Sequence, residues 1–472
     1  VTSHASPPRF VHSTPQSSRC SGPSGAVLAI DLGTSHVKAA LIGADGTMAA
    51  EAHTPLSTTR GPDGLMHQQV EDWGRAVRDV IEQCLAATAG MAPCSSDDDA
   101  VLAAPSSSPP QLAAIAVTGQ MQDLILLGED SRPTHPVVLY SDTHAAAEHA
   151  ALTVTNPTWL PQVAVTPPPG PDSLPPKILH VTRHVPDAMA ASATALFSAA
   201  GWVAHALTNV RVCDRLTAST TGFFDPRTDD WIPLRSPEGT ALVPAHLRLP
   251  RLVDPGVVGH VTAQAARTFD VPAGTPVVMA LGDAGSATDG MVGSVPGSAY
   301  LHLGTTGWVA FIDPTLASDL PLPAETGEHP QHHRLVHPAG HLAIARLPAA
   351  GEALEHARRD LLELTDPHSP DAHAYAEAAL TRADAAGLAY AEVVSHVADD
   401  VAALLDRLGA RPSRLPATGG VVRSPMVRQI LEQAVGVPVD LLSDAEAGLV
   451  SCARVAFDAL GVEHAIAPLD GR

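Results

Sequence analysis

The chain has 472 residues, with 50 Asp+Glu against 28 Lys+Arg, and a formal net charge of −22. That balance argues against nucleic acid and anionic membrane surfaces as partners, because phosphate binding needs Lys/Arg clusters and the chain has none. A hydrophobic share of 45% with 17% charged residues marks a globular body, and the length predicts two or three domains at roughly 100–200 residues each.

Residues 1–25 hold seven Ser and four Pro and no acid. They read as a disordered tail, with an organellar targeting segment as the alternative, since such segments are Ser-rich and acid-poor. Order is expected from Ala26. VLAIDLGTSHVKAALI (27–42) reads as strand, tight loop, strand, with Gly33 in the turn, and a second hairpin is expected around Asp45-Gly46. Residues 71–89 read as a helix with Trp73, Val77, Val80, Ile81 and Leu85 on one stripe. Residues 90–111 read as a disordered surface insertion. LAAIAVT (112–118) is a buried strand ending at Gly119, and Pro136–Tyr140 is a short one. Residues 154–176 are Pro-rich and read as extended. AYLHLGTTGWVAFI (299–312) repeats the opening device: Leu303-Gly304-Thr305-Thr306 echoes Leu32-Gly33-Thr34-Ser35 between apolar strands. The echo points to two similar domains, each opening with a hairpin.

Five scattered cysteines (Cys20, Cys84, Cys94, Cys213, Cys452) form no CxxC pair, so neither a disulfide framework nor a zinc knuckle is expected. A reducing, cytoplasmic setting follows. The 24 histidines show no HExxH or similar metal spacing, and His332-His333 reads as a solvated loop. No apolar run approaches the ~18 residues of a membrane span.

Gly-Thr-Ser/Thr hairpin loops suit phosphate, because Gly lets backbone N–H groups approach an anion and the hydroxyls add donors. The competing reading is an ordinary turn capped by its own side chains; two copies with Asp31 just ahead of the first favour phosphate. Asp31 ends an apolar strand, where a carboxylate can hold Mg²⁺ or cap the turn. In VVMALGD (277–283), Asp283 stands between a buried strand and a helix of small residues. Spacing leaves it evenly as helix N-cap or as general base towards a hydroxyl. Gly419-Gly420 precedes a helix and reads as a turn or as backbone on which a nucleobase lies.

Together these segments resemble the FGGY carbohydrate kinases, within them the xylulokinase-like members. Five blocks fall in family order: IDLGTSHVKAAL; TGQMQDLILL with VVLYSDTHA; RLTASTTGFFDPRTDDW; GTPVVMALGDAGSATDGMVGSVPGSAYLHLGTTGWVAF; and TGGVVRSPMVRQILEQAVGVPV. The resemblance implies an α/β fold of two actin-like, ribonuclease-H-like domains flanking a cleft. Residues 26–274 would form the sugar-side domain, and 275–472 a shortened nucleotide-side domain. By resemblance, Asp283 is the catalytic base and Asp31 assists Mg²⁺. Gly33, Thr34, Ser35, Gly304, Thr305 and Thr306 hold the phosphates of ATP. Gly419 and Gly420 border the adenosine. Gln120, Met121 and Gln122 line the sugar site, with Asp142 nearby.

The chain departs from the family mainly on the sugar side. Gln-Met-His-Gly becomes Gln120-Met121-Gln122-Asp123. Trp-Asn-Asp-x-Arg becomes Tyr140-Ser141-Asp142-Thr143-His144, which drops a bidentate cation. Glu-Gln becomes His67-Gln68. Gly-Gly-Gly-Ala becomes Gly419-Gly420-Val421-Val422, and Ser451 and Cys452 replace small residues of a helix placed near the nucleotide. A family segment of several dozen residues is missing between about 365 and 380, which leaves a strand edge of the second domain to be covered. The implied activity is ATP-dependent phosphorylation of a primary hydroxyl of a ketose or polyol, with D-xylulose the default. The alternatives are ribulose, sedoheptulose or a sugar acid, or an impaired sugar- and nucleotide-binding protein on the same fold. A small-molecule sugar is the expected partner, and a homodimer the assembly to look for.

Overall fold

Apolar runs on both sides of Gly33 pair antiparallel, with Val27 opposite Ile42 and Leu32 opposite Val37. The computed structural model describes residues 25–89, 112–158, 170–304, 306–322, 325, 332–347, 350–364, 370–442 and 446–471. The first six-stranded sheet runs Gly256–His260, Pro276–Met279, Leu112–Gly119, Ala26–Leu32, His36–Ile42, Met48–Pro55. Ala26–Leu32 lies parallel to Leu112–Gly119, and that strand parallel to Pro276–Met279. The sheet therefore takes a strand from just past residue 274.

The second six-stranded sheet runs His333–His337, Gly340–Leu347, Gly307–Asp313, Ala299–Leu303, Leu415–Thr418, Val439–Leu441. Its Ala299–Leu303 strand has an antiparallel partner on one side and a parallel one on the other, as Ala26–Leu32 has. The two echoing segments thus occupy equivalent places in two sheets. The fold is mixed α/β with two actin-like domains.

Ala26–Leu32 is apolar nearly throughout because both its faces are covered. On one face lie helices Val70–Ala89 and Ala199–Thr208, where Trp73 and Trp202 meet edge to face at 5.8 Å. Burying a side chain of the size of Val77 or Ile81 stabilises by roughly 1.5–3 kcal/mol, and both are fully buried. The other face is covered by the terminal helix Ala447–Leu460. Its small residues (Cys452, Ala453, Ala456) let it sit close against Val27, Ala29 and Ala116. Cys452 therefore packs on the first sheet although it stands near the chain's end. Helix Asp283–Val292 packs against this terminal helix where Gly290 meets Ala447. Leu216, Leu281, Tyr300 and Leu342 join them in one apolar cluster that ties the two sheets together.

Three expectations need correction or placement. Residues 154–176 are not extended throughout, because helix Ala146–Thr155 reaches into the segment and helix Leu174–His184 begins in it. Pro175 and Pro176 occupy the first turn of the second helix, where the missing N–H costs nothing. His332-His333 is no solvated loop: His333 opens strand His333–His337, both rings are half-buried, and burial pushes each down to about 4. The segments 1–24, 90–111 and 365–369 lie outside the described residues. Just beyond the last of them, Pro370–Ala379 is helical. The second sheet's edge at His333–His337 packs against helix Arg215–Thr220, and Val336 N–H donates to Ser219 Oγ at 2.9 Å.

Candidate active site

Two carboxylates, Asp31 and Asp283, lie within electrostatic reach of each other. Asp31 ends the opening strand, and Asp283 opens the helix that follows Pro276–Met279. The N-cap is Gly282, so capping does not account for Asp283; its Oδ1 accepts from Ala284 N–H at 2.7 Å, one residue on. Burial pushes Asp283 up to about 7; negative Asp31 and Asp214 add to the rise, and the Ala284 amide opposes it. Burial likewise pushes Asp31 up to about 6, with Lys38 opposing and Glu446 reinforcing. Lys38 itself bridges to Glu446 at 2.8 Å. The first turn of the terminal helix reaches Asp31 at Gly448, where a Cβ would stand 3.3 Å from Oδ2. Asp31 Oδ1 is buried without a hydrogen-bond partner among the described residues. An orphaned carboxylate oxygen is a hard donor, and the site thus fits a Mg²⁺ ion.

The first hairpin is held by side chains. Thr34 Oγ1 donates to Gln120 Oε1 at 2.8 Å, and Gln68 Nε2 donates to the Thr34 carbonyl at 2.7 Å. Gln68 Oε1 in turn accepts from Trp73 Nε1 at 2.8 Å and from Gln120 Nε2 at 3.2 Å. Gln120 and Gln68 are buried, so each amide needs these partners. Gln120 is therefore bound into the hub behind the loop. Gly33 N–H turns back to His36 O at 3.1 Å, and Ser35 is exposed.

The second hairpin shares the backbone contacts of the first, and His302 stacks on Trp308 across it at 3.9 Å. Gly304 N–H donates to Thr306 O at 3.0 Å. Gly419, at φ +105°, lies against it so closely that a Cβ would overlap the Leu303 carbonyl oxygen. A Cβ on Gly420 would meet nothing within 4 Å. The structure thus brings Gly304, Thr306, Gly419 and Gly420 together; Thr305 lies outside the described residues.

On the sugar side, Met121 packs against Gly282, where a Cβ would overlap its sulfur and stand 2.7 Å from Thr217 Oγ1. Met121 therefore borders Asp283. Gln122 adopts φ +65° and turns its Nε2 to the Asp172 carbonyl at 3.0 Å. Both oxygens of Asp142 accept backbone amides, from Met66 at 2.7 Å and His144 at 3.0 Å. Its other neighbour is His67 at 3.6 Å, which burial pushes down to about 4.

The scan against family models matches residues 26–290 to the N-terminal domain of the FGGY family of carbohydrate kinases, more than half of the chain. The chain belongs to the FGGY family of carbohydrate kinases. It is a phosphotransferase that uses an alcohol group as acceptor, and kinases of this family use ATP. An erythritol kinase of Brucella abortus (strain 2308) is 25% identical over 496 residues, covering 93% of this chain and 88% of the relative. Xylulose kinase from Rhodospirillum rubrum superposes with a TM-score of 0.73 at 22% identity, covering 92% of this chain and 90% of that one. Plasmodium falciparum glycerol kinase with ADP superposes with a TM-score of 0.70 at 13% identity, covering 93% and 90%.

In this FGGY kinase, sequence reasoning missed two buried groups of opposite charge, Asp123 and Lys177, which lie within electrostatic reach of each other. Burial pushes the Asp123 carboxyl well up, and Lys177 and the Tyr140 amide at 3.0 Å oppose the rise. Burial holds the Lys177 ammonium below its ordinary range, with Asp123, Asp142 and Asp172 opposing. Lys177 Nζ donates to the Leu139 carbonyl at 2.7 Å. Asp283 is among the charges that Asp123 feels, and Asp123 Oδ2 has no hydrogen-bond partner among the described residues. Asp214 was also missed: it caps helix Arg215–Thr220 through Thr217 N–H at 2.9 Å and accepts from Gly282 N–H at 3.2 Å. The available signal was Ser173-Leu174-Pro175-Pro176, a helix start that places Lys177 one turn in. No helix among the described residues is long and apolar enough to cross a membrane.

Proposed function

We propose that the protein transfers the γ-phosphoryl group of ATP to a primary hydroxyl of an uncharged ketose or polyol, with Asp283 as the base. The observation that carries this reading is a half-buried carboxyl at a helix start, raised to about 7 and within electrostatic reach of a second carboxylate, Asp31. A carboxyl whose pKa lies near neutrality is largely ionised at working pH and, once ionised, is a stronger base towards a hydroxyl proton than an ordinary carboxylate. As the proton passes to Asp283, the freed oxygen bonds to the γ-phosphorus and the bond to the bridging oxygen of ADP breaks. The backbone at Gly33, Thr34 and Gly304, with the hydroxyls of Ser35 and Thr306, would face the phosphates, Thr305 belongs to the same loop, and Gly419-Gly420 would border the adenosine. Asp31 would hold Mg²⁺, which when bound neutralises charge on the phosphates.

Acidity around the acceptor narrows the substrate. Asp123, Asp142 and Asp172 lie within electrostatic reach of Lys177, and Asp283 in turn feels Asp214. This disfavours a sugar acid and favours a neutral polyhydroxyl acceptor. Met121 would contribute an apolar wall, while Gln120, Gln122 and Asp142 would shape the site from behind. D-xylulose is the default substrate; erythritol is the second reading, favoured by the relative of that name aligned along nearly the whole chain. Coupled ADP release with Mg-ATP and a panel of D-xylulose, D-ribulose, erythritol, glycerol and gluconate tests the assignment. One neutral acceptor should stimulate release well above the no-sugar blank. Stimulation by gluconate alone, or by nothing from a folded protein, would contradict it.

A further inference from the structure

Away from the two hairpins, three metal-ligating side chains converge between neighbouring helices. Glu148 comes from helix Ala146–Thr155, and His180 and His184 come from helix Leu174–His184. His180 Nδ1 lies 3.3 Å from Glu148 Oε2, and His184 Nε2 lies 3.0 Å from Glu148 Oε1. One donor atom from each falls within 4.8 Å of the others. The two histidines are one turn apart on a single helix face, which is why their rings stand 4.5 Å apart. No HExxH pattern marks the set in sequence, because its carboxylate is supplied by a different helix.

We propose that Glu148, His180 and His184 form a binding site for a divalent transition-metal ion of the zinc class. Two imidazoles and a carboxylate are a donor set that suits such ions, with coordination positions left over. Burial tends to raise the Glu148 carboxyl, yet hydrogen bonds from His184 and His180 hold it below its ordinary range. Burial holds His180 below its ordinary value too, with Glu148 opposing. Glu148 is only 3% exposed, while the His184 side chain is 56% exposed, so the site opens to solvent on one side. His144 stands 4.5 Å from His180, ring to ring, and is the nearest further imidazole. Arg183 opposes a cation, since its Nη1 lies 3.9 Å from Glu148 Oε1; its Nη2, however, is anchored to Glu238 at 2.7 Å. A bound ion would pin helix Leu174–His184, which also carries Lys177, to its neighbour.

The test uses the full chain, stripped with EDTA, without ATP or sugar. Zn²⁺ alone is titrated by calorimetry, and the melting temperature is followed in parallel. We expect one Zn²⁺ bound per chain at this site and a rise in melting temperature. His184→Ala should weaken this binding at least about tenfold, because removing a direct ligand costs no less than removing an outer-shell partner. His184 is exposed, so this variant keeps its fold; Glu148→Gln and His180→Ala should lose binding as well. Asp31→Asn should retain it, which separates this ion from any at the phosphate side. Absence of Zn²⁺ binding, or an affinity in His184→Ala and His180→Ala equal to the parent's, would overturn the proposal and leave a hydrogen-bonded trio.

Discussion

The two Gly-Thr hairpins read alike in sequence, occupy equivalent strands of their sheets and are each backed by a glycine lying on a strand carbonyl, Gly119 on Leu32 and Gly419 on Leu303, yet the first carries a layer of buried side-chain hydrogen bonds as well. Around the first, buried amide side chains do the holding: Thr34 is tied to Gln120 at 2.8 Å and to Gln68 at 2.7 Å. Around the second, Gly419 lies directly against the Leu303 carbonyl, backbone on backbone. The first half also gathers the buried charges Asp123, Lys177 and Asp214. An internal echo therefore reports a shared backbone shape and says little about what surrounds it. The half proposed to hold the acceptor adds buried polar side chains to a main-chain contact that both halves share.

The comparison can be broken most severely at Lys177. Lys177→Met would leave Asp123 buried beside Asp283 without its counter-charge, at an expected loss of about 3–5 kcal/mol in chemical denaturation. The double variant Asp123→Asn/Lys177→Met should recover most of it, and a double variant no better than the single would argue against the pair. In the second half, Gly419→Ala places a Cβ on the Leu303 oxygen at a positive φ. It should cost about 2 kcal/mol or more and raise the KM for ATP. Gly420→Ala next to it should stay within about 0.5 kcal/mol.

Asp31→Asn sharpens the electrostatic side of the contrast. The folded carboxyl sits at about 6 against 3.8 ordinarily, so ionising it costs stability as pH rises between those values. The variant should therefore be more stable than the parent above about pH 6, by about 1–3 kcal/mol, and indistinguishable below about pH 4. A melting series across that range reads the difference; a gain that persists at low pH would rule out this cause. A smaller effect than those at Lys177 and Gly419 is expected from Thr34→Val. It removes one hydrogen bond to Gln120, for about 1 kcal/mol by denaturant midpoint.

Much of the architecture was legible because it is local. Both hairpins announce themselves as apolar runs around Gly-Thr, and Trp73, Val77, Val80 and Ile81 mark the inward stripe of helix Val70–Ala89. Asp283 was visible at the end of a buried strand, although spacing alone left its role open. What escaped depends on distant parts meeting. Asp123 and Lys177 are joined only once helix Leu174–His184 packs beside strand Met121–Leu127. The Pro-rich stretch hid that helix, since Pro in a first turn looks the same in sequence as Pro in an extended segment. The terminal helix covers the first sheet from the far end of the chain, and nothing in its own periodicity names that partner.

The account rests on Asp283 as the base, and the most direct test is kcat/KM for the best acceptor from about pH 5.5 to about 8.5, in the parent chain and in Asp283→Asn. The parent should lose about tenfold per pH unit below an apparent pKa of about 7, the value to which burial and Asp31 raise this carboxyl. Asp283→Asn should fold, still bind ADP, and fall about 10²–10⁴-fold with that limb gone. A variant within a few-fold of the parent, with the same pH limb, would show that another group takes the proton.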